Sequence, residues 1–411
     1  MSSTKPQTLP ERPDLDHLKK QARDLLNLAR ENDASALERL AHVARERAAS
    51  PATVKLSDAQ HALARSYGFS SWSELRHEVK RRRTALIESE GLPDDPEQRL
   101  DLVYQAIEQN DAARLKLLVR LDASLAHGWG ERRPISHAVQ FDRAELVEIL
   151  VGAGVSPAAD YGFPHDSLSW AITVGGLGAA RRLLELGAPL DLWCSAGLGD
   201  VTRLSRFFDE QGPIAGASRH GVTRFDEAGR MLPKPPTEPR EIVSDALYIA
   251  ARNGQLEAAR FLLDRGADPN FVGFNRAPVL HWAAYSGNQA LLRLLLERGA
   301  DPHAVDGAYR ATYRVFAVRI AIEWSVHKVL LRVLSGDPAL SRERDVAWGP
   351  PLHAAAAQGL DDHVQTLLEY GADPLEVDAS GRSALDCARA AADAAARARV
   401  LSMLEALAFE K

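Results

Sequence analysis

The stretch from Asp245 to Asp306 constrains the fold more than any other part of the chain, because it states one supersecondary unit twice. It reads DALYIAARNGQLEAARFLLDRGADPNFVGFNRAPVLHWAAYSGNQALLRLLLERGADPHAVD, and Leu247 and Leu280 are equivalent positions 33 residues apart. In each copy a short apolar segment stops at a Gly, Gly254 or Gly287. A second apolar segment stops at Gly266 or Gly299, and Ala-Asp-Pro follows. Short helices ended by Gly, where positive φ suits that residue, and then an extended turn make up the unit. Neither helix is long enough to stand alone, since nucleation is costly. The unit must bury its apolar faces against copies of itself.

The residues PLH with AA, the following Gly, the LLL run and GADPN at this period resemble the ankyrin repeat. Taking the Leu of PLH as anchor gives Val103, Ile135, Leu168, Leu192, Leu247, Leu280, Val318, Leu352 and Leu385. The resemblance covers roughly Leu100 to the C-terminus. It implies an all-α fold: an ankyrin-repeat solenoid of paired short helices with hairpin fingers, with about eight repeats. The interval from Leu168 to Leu192 is short, so the finger there is trimmed. The repeat anchored at Val318 is degenerate, as is the first. The Ala-rich segment after Leu385 is expected as a closing helix.

Ahead of the array, residues 1–12 are polar and Pro-containing and are expected as a flexible tail. Residues 13–90 form a small helical module, with Leu15, Leu18, Ala22, Leu25 and Ala29 at helical spacing and a second helix through Leu37, Leu40 and Ala44. Ser57 to Gln60 and Ser71 to Glu74 each match a capping box, so helices are expected to start there. Tyr67, Phe69 and Trp72 flank a Gly turn and are expected to plug a small core. This module is similar to the extension found ahead of ankyrin arrays in some bacterial proteins, which implies a bacterial-type chain. Residues 91–99 serve as linker and 100–411 as the array. Within the array, residues 211–243 are rich in Gly and Pro, and a loop this long tends to be functional. It replaces an ordinary finger and is expected to hang over the binding face.

Net charge is −6, from 50 basic and 56 acidic residues, which gives no broad nucleic-acid footprint. The two Cys lack metal-ligand spacing and fit a reducing compartment. No signal-peptide pattern and no membrane-length apolar run occurs, so a soluble, cytoplasmic chain with no membrane role is expected. A helix–turn–helix over residues 57–83, ending in Lys80–Arg83, is a possible nucleic-acid reader. Basic residues at a helix C-terminus more simply complement the helix dipole, which makes nucleic acid an unlikely partner.

No cofactor motif or metal site is expected. Cys194 shares the repeat position of Trp170, Ile249, Trp282, Ile320 and Cys387, which points into the helix stack. His281 and His353 occupy the His of PLH, where the family uses it for local hydrogen bonding.

Candidate binding residues lie on the fingers. These tips normally carry small polar residues, whereas here they carry Trp129, Arg132 and Arg133, then Tyr161, Phe163 and His165, then Phe274 and Arg276, then Asp306, Tyr309, Arg310 and Arg314, then Trp348. Arg252, Tyr285, Glu323 and Trp324 add to them from the ends of the first helices. Aromatics and Arg are the types enriched at binding hot spots. The expected function is an interaction scaffold whose concave face binds a protein or peptide partner, with Tyr309 and Trp348 among its anchors. The alternative is a small molecule held under the 211–243 insertion. In an enzymatic version His165 and Glu323 would transfer protons, with His327 nearby.

Overall fold

The computed structural model describes residues 7–41, 43, 53–159, 166–226, 228–344 and 348–408. The chain forms two compact units, residues 1–128 and 129–411.

In the first unit, helix α1 (Leu15–Arg30) starts where the Asp14 carboxylate accepts the backbone N–H groups of Asp16 and His17. It buries Leu15, Leu18, Ala22, Leu25, Leu26 and Ala29 along one stripe. Helix α2 (Ala34–Ala41) and helix α3 (Leu56–Ser66) pack on one another and on α1. Of the apolar positions expected in the second helix, Ala44 lies outside the described residues. Tyr67, Phe69 and Trp72 pack against a core of Leu9, Leu15, Leu18, Leu63, Leu75 and Val79, as expected from the aromatic turn.

Three local details differ from expectation. Helix α3 begins at Leu56, ahead of Ser57, because the Asp58 carboxylate turns back to the Lys55 N–H at 2.9 Å. Helix α4 (Trp72–Glu90) is capped by Ser71, but Glu74 reaches Ser70 instead of the cap residue. Where the tail is described it is tied down: Gln7 N–H donates to the Ser66 carbonyl at 2.7 Å, and Leu9 is buried.

Helix α5 (Pro96–Glu108), helix α6 (Ala112–Leu121) and the single-turn α7 (Ser124–His127) complete this unit. Helix α4 packs on α6 and covers the apolar face that a first repeat would otherwise expose. The basic run is spent here: Lys80 donates to the Asn110 carbonyl, Arg81 and Arg82 pair with Glu78, and Arg83 pairs with Asp14.

The second unit is built from repeated helix pairs. These are α8 (Pro134–Gln140) with α9 (Ala144–Gly152), α10 (Ser167–Thr173) with α11 (Leu177–Glu185), and α12 (Leu192–Leu198) with the short α13 (Val201–Leu204). Then come α14 (Pro239–Arg252) with α15 (Leu256–Leu263), α16 (Val279–Ser286) with α17 (Gln289–Glu297), and α18 (Tyr313–Glu323) with α19 (His327–Gly336). Helices α20 (Pro351–Ala357), α21 (Asp361–Glu369) and α22 (Ala384–Ala388) lead to the closing helix α23 (Ala394–Ala408), which buries Val400 and Leu404.

First helices stack on first helices and second helices on second, which buries the anchors from Ile135 to Leu352 as a continuous row. Trp193, Trp282 and Phe316 are the largest side chains buried outright, each worth roughly 1.5–3 kcal/mol of removed apolar surface. Gly254 and Gly287 end their helices at φ near 70°. At the end of α18 the same turn is made by Ser325 at φ 52°, a conformation costly for a residue with a Cβ.

The row of His positions is equally regular. His281 Nε2 lies 2.9 Å from the Ala311 carbonyl and His353 Nε2 lies 3.0 Å from that of Arg382, each pinning its helix to the next finger. Cys194 and Cys387 are buried, as their repeat position implies.

Candidate functional site

A cavity of about 480 Å³ opens in the second unit where the C-terminal ends of α10, α14, α16 and α18 meet the insertion. Its aromatic wall is Trp170, Trp193, Tyr248, Phe274, Tyr285 and Trp324. Thr173, Arg252 and Tyr285 share one repeat position, two residues after the first Ala of the small pair, so the helix period delivers them to the same face.

The buried Trp282 lies behind this wall, with its ring 5.6 Å from those of Tyr248 and Tyr285 and 6.3 Å from that of Trp324. Over the cluster lies the Arg252 guanidinium, 4.3 Å from the Trp282 ring, 5.4 Å from Tyr285 and 5.9 Å from Trp324. Arg252 Nε donates to the Thr173 carbonyl at 3.0 Å and Nη1 to the Tyr248 hydroxyl at 3.4 Å.

Sequence reasoning placed Arg252, Phe274, Tyr285 and Trp324 as candidates, and all four line this cavity. It passed over Trp193 and Tyr248, although both occupy the position where His281 and His353 sit in other repeats. That departure from the row is the signal that could have found them. A His there reaches the next finger, whereas Trp193 donates its indole N–H to Asp245 at 3.1 Å. Tyr248 lies so close to the following finger that a Cβ on Gly273 would fall 2.3 Å from its ring. Trp170 corrects the expectation for its repeat position: it is only partly buried and faces the cavity.

The insertion roofs the cavity through Val222 and Thr223, and buried polar contacts fasten it there. Asp191 caps α12 with one carboxylate oxygen and accepts the Arg219 and His220 N–H groups with the other. His220 lies between two carboxylates, with Nδ1 2.8 Å from Asp191 and Nε2 3.3 Å from Asp166. Burial alone would lower the imidazole pKa, but hydrogen bonds and charge from Asp166 and Asp191 raise it to about 9. Burial alone would raise the Asp191 carboxyl, which His220 and the Cys194 and Arg219 N–H groups instead bring down to about 2. On α14, Asp245 accepts the Val222 N–H at 3.1 Å, and burial pushes its carboxyl up to about 7 against that donor and Trp193.

Asp191, Cys194 and His220 bring donor atoms of metal-ligand type together, within 4.8 Å of one another. Their chemistry does not fit a metal. Both imidazole nitrogens already face carboxylates, and burial and then Asp191 push the Cys194 thiol far above its ordinary range, so no thiolate is available.

The remaining candidates lie elsewhere. Tyr161, Phe163 and His165 fall outside the described residues. Trp129 and Arg132 bridge across their own finger, beside Arg133 at the start of α8. Asp306 is buried, and its carboxylate closes its own turn by accepting the Ala308, Tyr309 and Ala311 N–H groups. Arg314 pairs with Glu343 and Asp337 at 2.9 and 3.1 Å. Arg276 and Arg310 occupy left-handed turn positions at φ 52° and 56°. Glu323 accepts the Trp348 indole N–H at 3.1 Å, and Arg319 lies over the Tyr309 ring at 4.4 Å. His327 bonds the Thr366 hydroxyl. No carboxylate or imidazole lines the cavity among the described residues. No described helix is long and apolar enough to cross a membrane.

Comparison with known families matches residues 233–306 to a model described as ankyrin repeats in three copies. Residues 350–379 match a second model, described as an ankyrin repeat. Both segments coincide with the helix pairs that carry the 33-residue period.

Proposed function

The chain is an ankyrin-repeat protein, and on that premise we propose that it is a protein-interaction module whose repeats take a peptide segment of a partner. Repeats of this kind generally mediate protein–protein contact. The segment lies along the face made by the first-helix ends and inserts an apolar group into the cavity beside Arg252. The observation that carries this reading is the cavity wall: six aromatic side chains converge on about 480 Å³ beneath a fixed roof. Rigid aromatic surface gives large contact area at little entropic cost, which is the make-up of a hot spot.

The test is selection of binders from a displayed random-peptide library against the full chain. Enriched peptides should lose about 10- to 100-fold in affinity on Tyr285→Ala, the range expected for a hot-spot truncation. Affinity unchanged in that variant would remove the cavity from the account. The roof at Val222 and Thr223 favours a second reading, a small molecule held in the same space. That reading predicts a mass adduct on the purified protein under non-denaturing conditions and no enriched peptides.

A further inference from the structure

The charge balance of the cavity points to a narrower occupant. Arg252 is 8% exposed, and its two hydrogen bonds leave Nη2 without a partner among the described residues. Lys328, exposed and in no ion pair among the described residues, lines the same space. The other polar side chains of the wall are Gln140, Thr173, Thr223 and the Tyr hydroxyls, all neutral. A buried guanidinium with no counter-charge is costly, and an arriving anion offsets that cost. A further cation is disfavoured, because Arg252 already lies over Trp282, Tyr285 and Trp324, and Arg332 lies 5.6 Å from the Tyr285 ring.

We propose that the cavity reads the free carboxylate of a partner chain ending in an aromatic residue. The terminal ring stacks within the aromatic wall, and the carboxylate meets Arg252 Nη2 and Lys328. This rests on the peptide reading above and adds the group that is read. Capture of a C-terminal carboxylate is an established mode of peptide recognition. A volume of about 480 Å³ suits a ligand of one or two residues, within the roughly 300–1,000 Å³ of small-ligand sites. A carboxylate is favoured over a phosphate because one partly bonded guanidinium and one exposed ammonium suffice for a monoanion. They would leave part of a dianion's charge stripped of water and unpaired.

The test is isothermal titration of the full chain with a pentapeptide ending in Trp, as the free acid and as the C-terminal amide. Indole-3-propionate and phenyl phosphate are titrated in parallel. The free acid should bind at least about tenfold more tightly than the amide. Lys328→Gln should narrow that ratio without moving the unfolding midpoint, and Arg252→Lys should narrow it further. Acid and amide binding equally, with both weakened in Tyr285→Ala, would overturn the carboxylate assignment and leave the peptide reading standing. Phenyl phosphate binding more tightly than the acid peptide would also overturn it. Indole-3-propionate matching the peptide would overturn a chain terminus as the source. No binding by any probe, together with selected peptides indifferent to Tyr285→Ala, would overturn both readings.

Discussion

Two Arg–aromatic clusters stand in the second unit, their Arg residues two repeats apart, and they are completed differently. Arg319 lies 4.4 Å from the Tyr309 ring and 5.5 Å from Trp348, with Glu323 3.8 Å from its Nε and bonded in turn to the Trp348 indole. Charge and rings are matched within the cluster. Arg252 lies among Trp282, Tyr285 and Trp324 with no carboxylate at ion-pair distance among the described residues, next to open space. The same residue types thus make a closed joint in one place and an unfinished one in the other. What separates them is the counter-charge. The insertion deepens the contrast, because it roofs the Arg252 side and is itself fastened by buried charges.

The contrast can be probed at the core beneath it. Trp282→Ala removes the fully buried ring that backs the Arg252 cluster and should cost about 3–5 kcal/mol in urea unfolding. A loss below about 1 kcal/mol would mean that this wall is not preorganised by its core.

The roof gives a pH test. His220 is a base whose folded pKa, about 9, lies above its unfolded value of 6.5. Its contribution is therefore fully present below about pH 6.5 and is lost as pH rises through 9. Asp245, raised to about 7, adds a contribution of the same sign that fades as pH rises between 3.8 and 7. Wild type should exceed His220→Ala by on the order of 3 kcal/mol near pH 6. That difference should shrink steadily toward pH 9. A constant difference across this range would contradict the charged imidazole.

A smaller effect sharpens the closed joint. Glu323→Gln should cost about 1 kcal/mol or less of stability, since its carboxylate is partly exposed. It should leave peptide affinity unchanged. Loss of affinity without loss of stability would place the Arg319 cluster in the binding face after all.

Much of this was legible in the sequence because a repeat converts position into burial. The anchors, the Gly stops and the roles of His281, His353 and Cys194 all follow from the period. Arg252, Phe274, Tyr285 and Trp324 were also found as candidates, since their helix ends and finger depart from family habit. Which aromatic–Arg groups are already satisfied was not legible. Asp306 spends its carboxylate on backbone N–H groups within its own turn, and Arg314 pairs with Glu343, 29 residues away. Neither bond leaves a mark in composition or spacing. Trp193 and Tyr248 were readable in principle as missing His residues, but their partners, Asp245 on α14 and Gly273 in the finger after α15, are not marked by the period.

The most direct measurement is titration of one selected peptide against two double variants, Tyr285→Ala/Trp324→Ala at the cavity and Tyr309→Ala/Trp348→Ala at the closed joint. The cavity pair should lower affinity by about 100-fold or more, while the finger pair should change it less than about threefold and register in the unfolding midpoint. The reverse pattern, with affinity lost from the finger pair and kept by the cavity pair, would contradict this assignment.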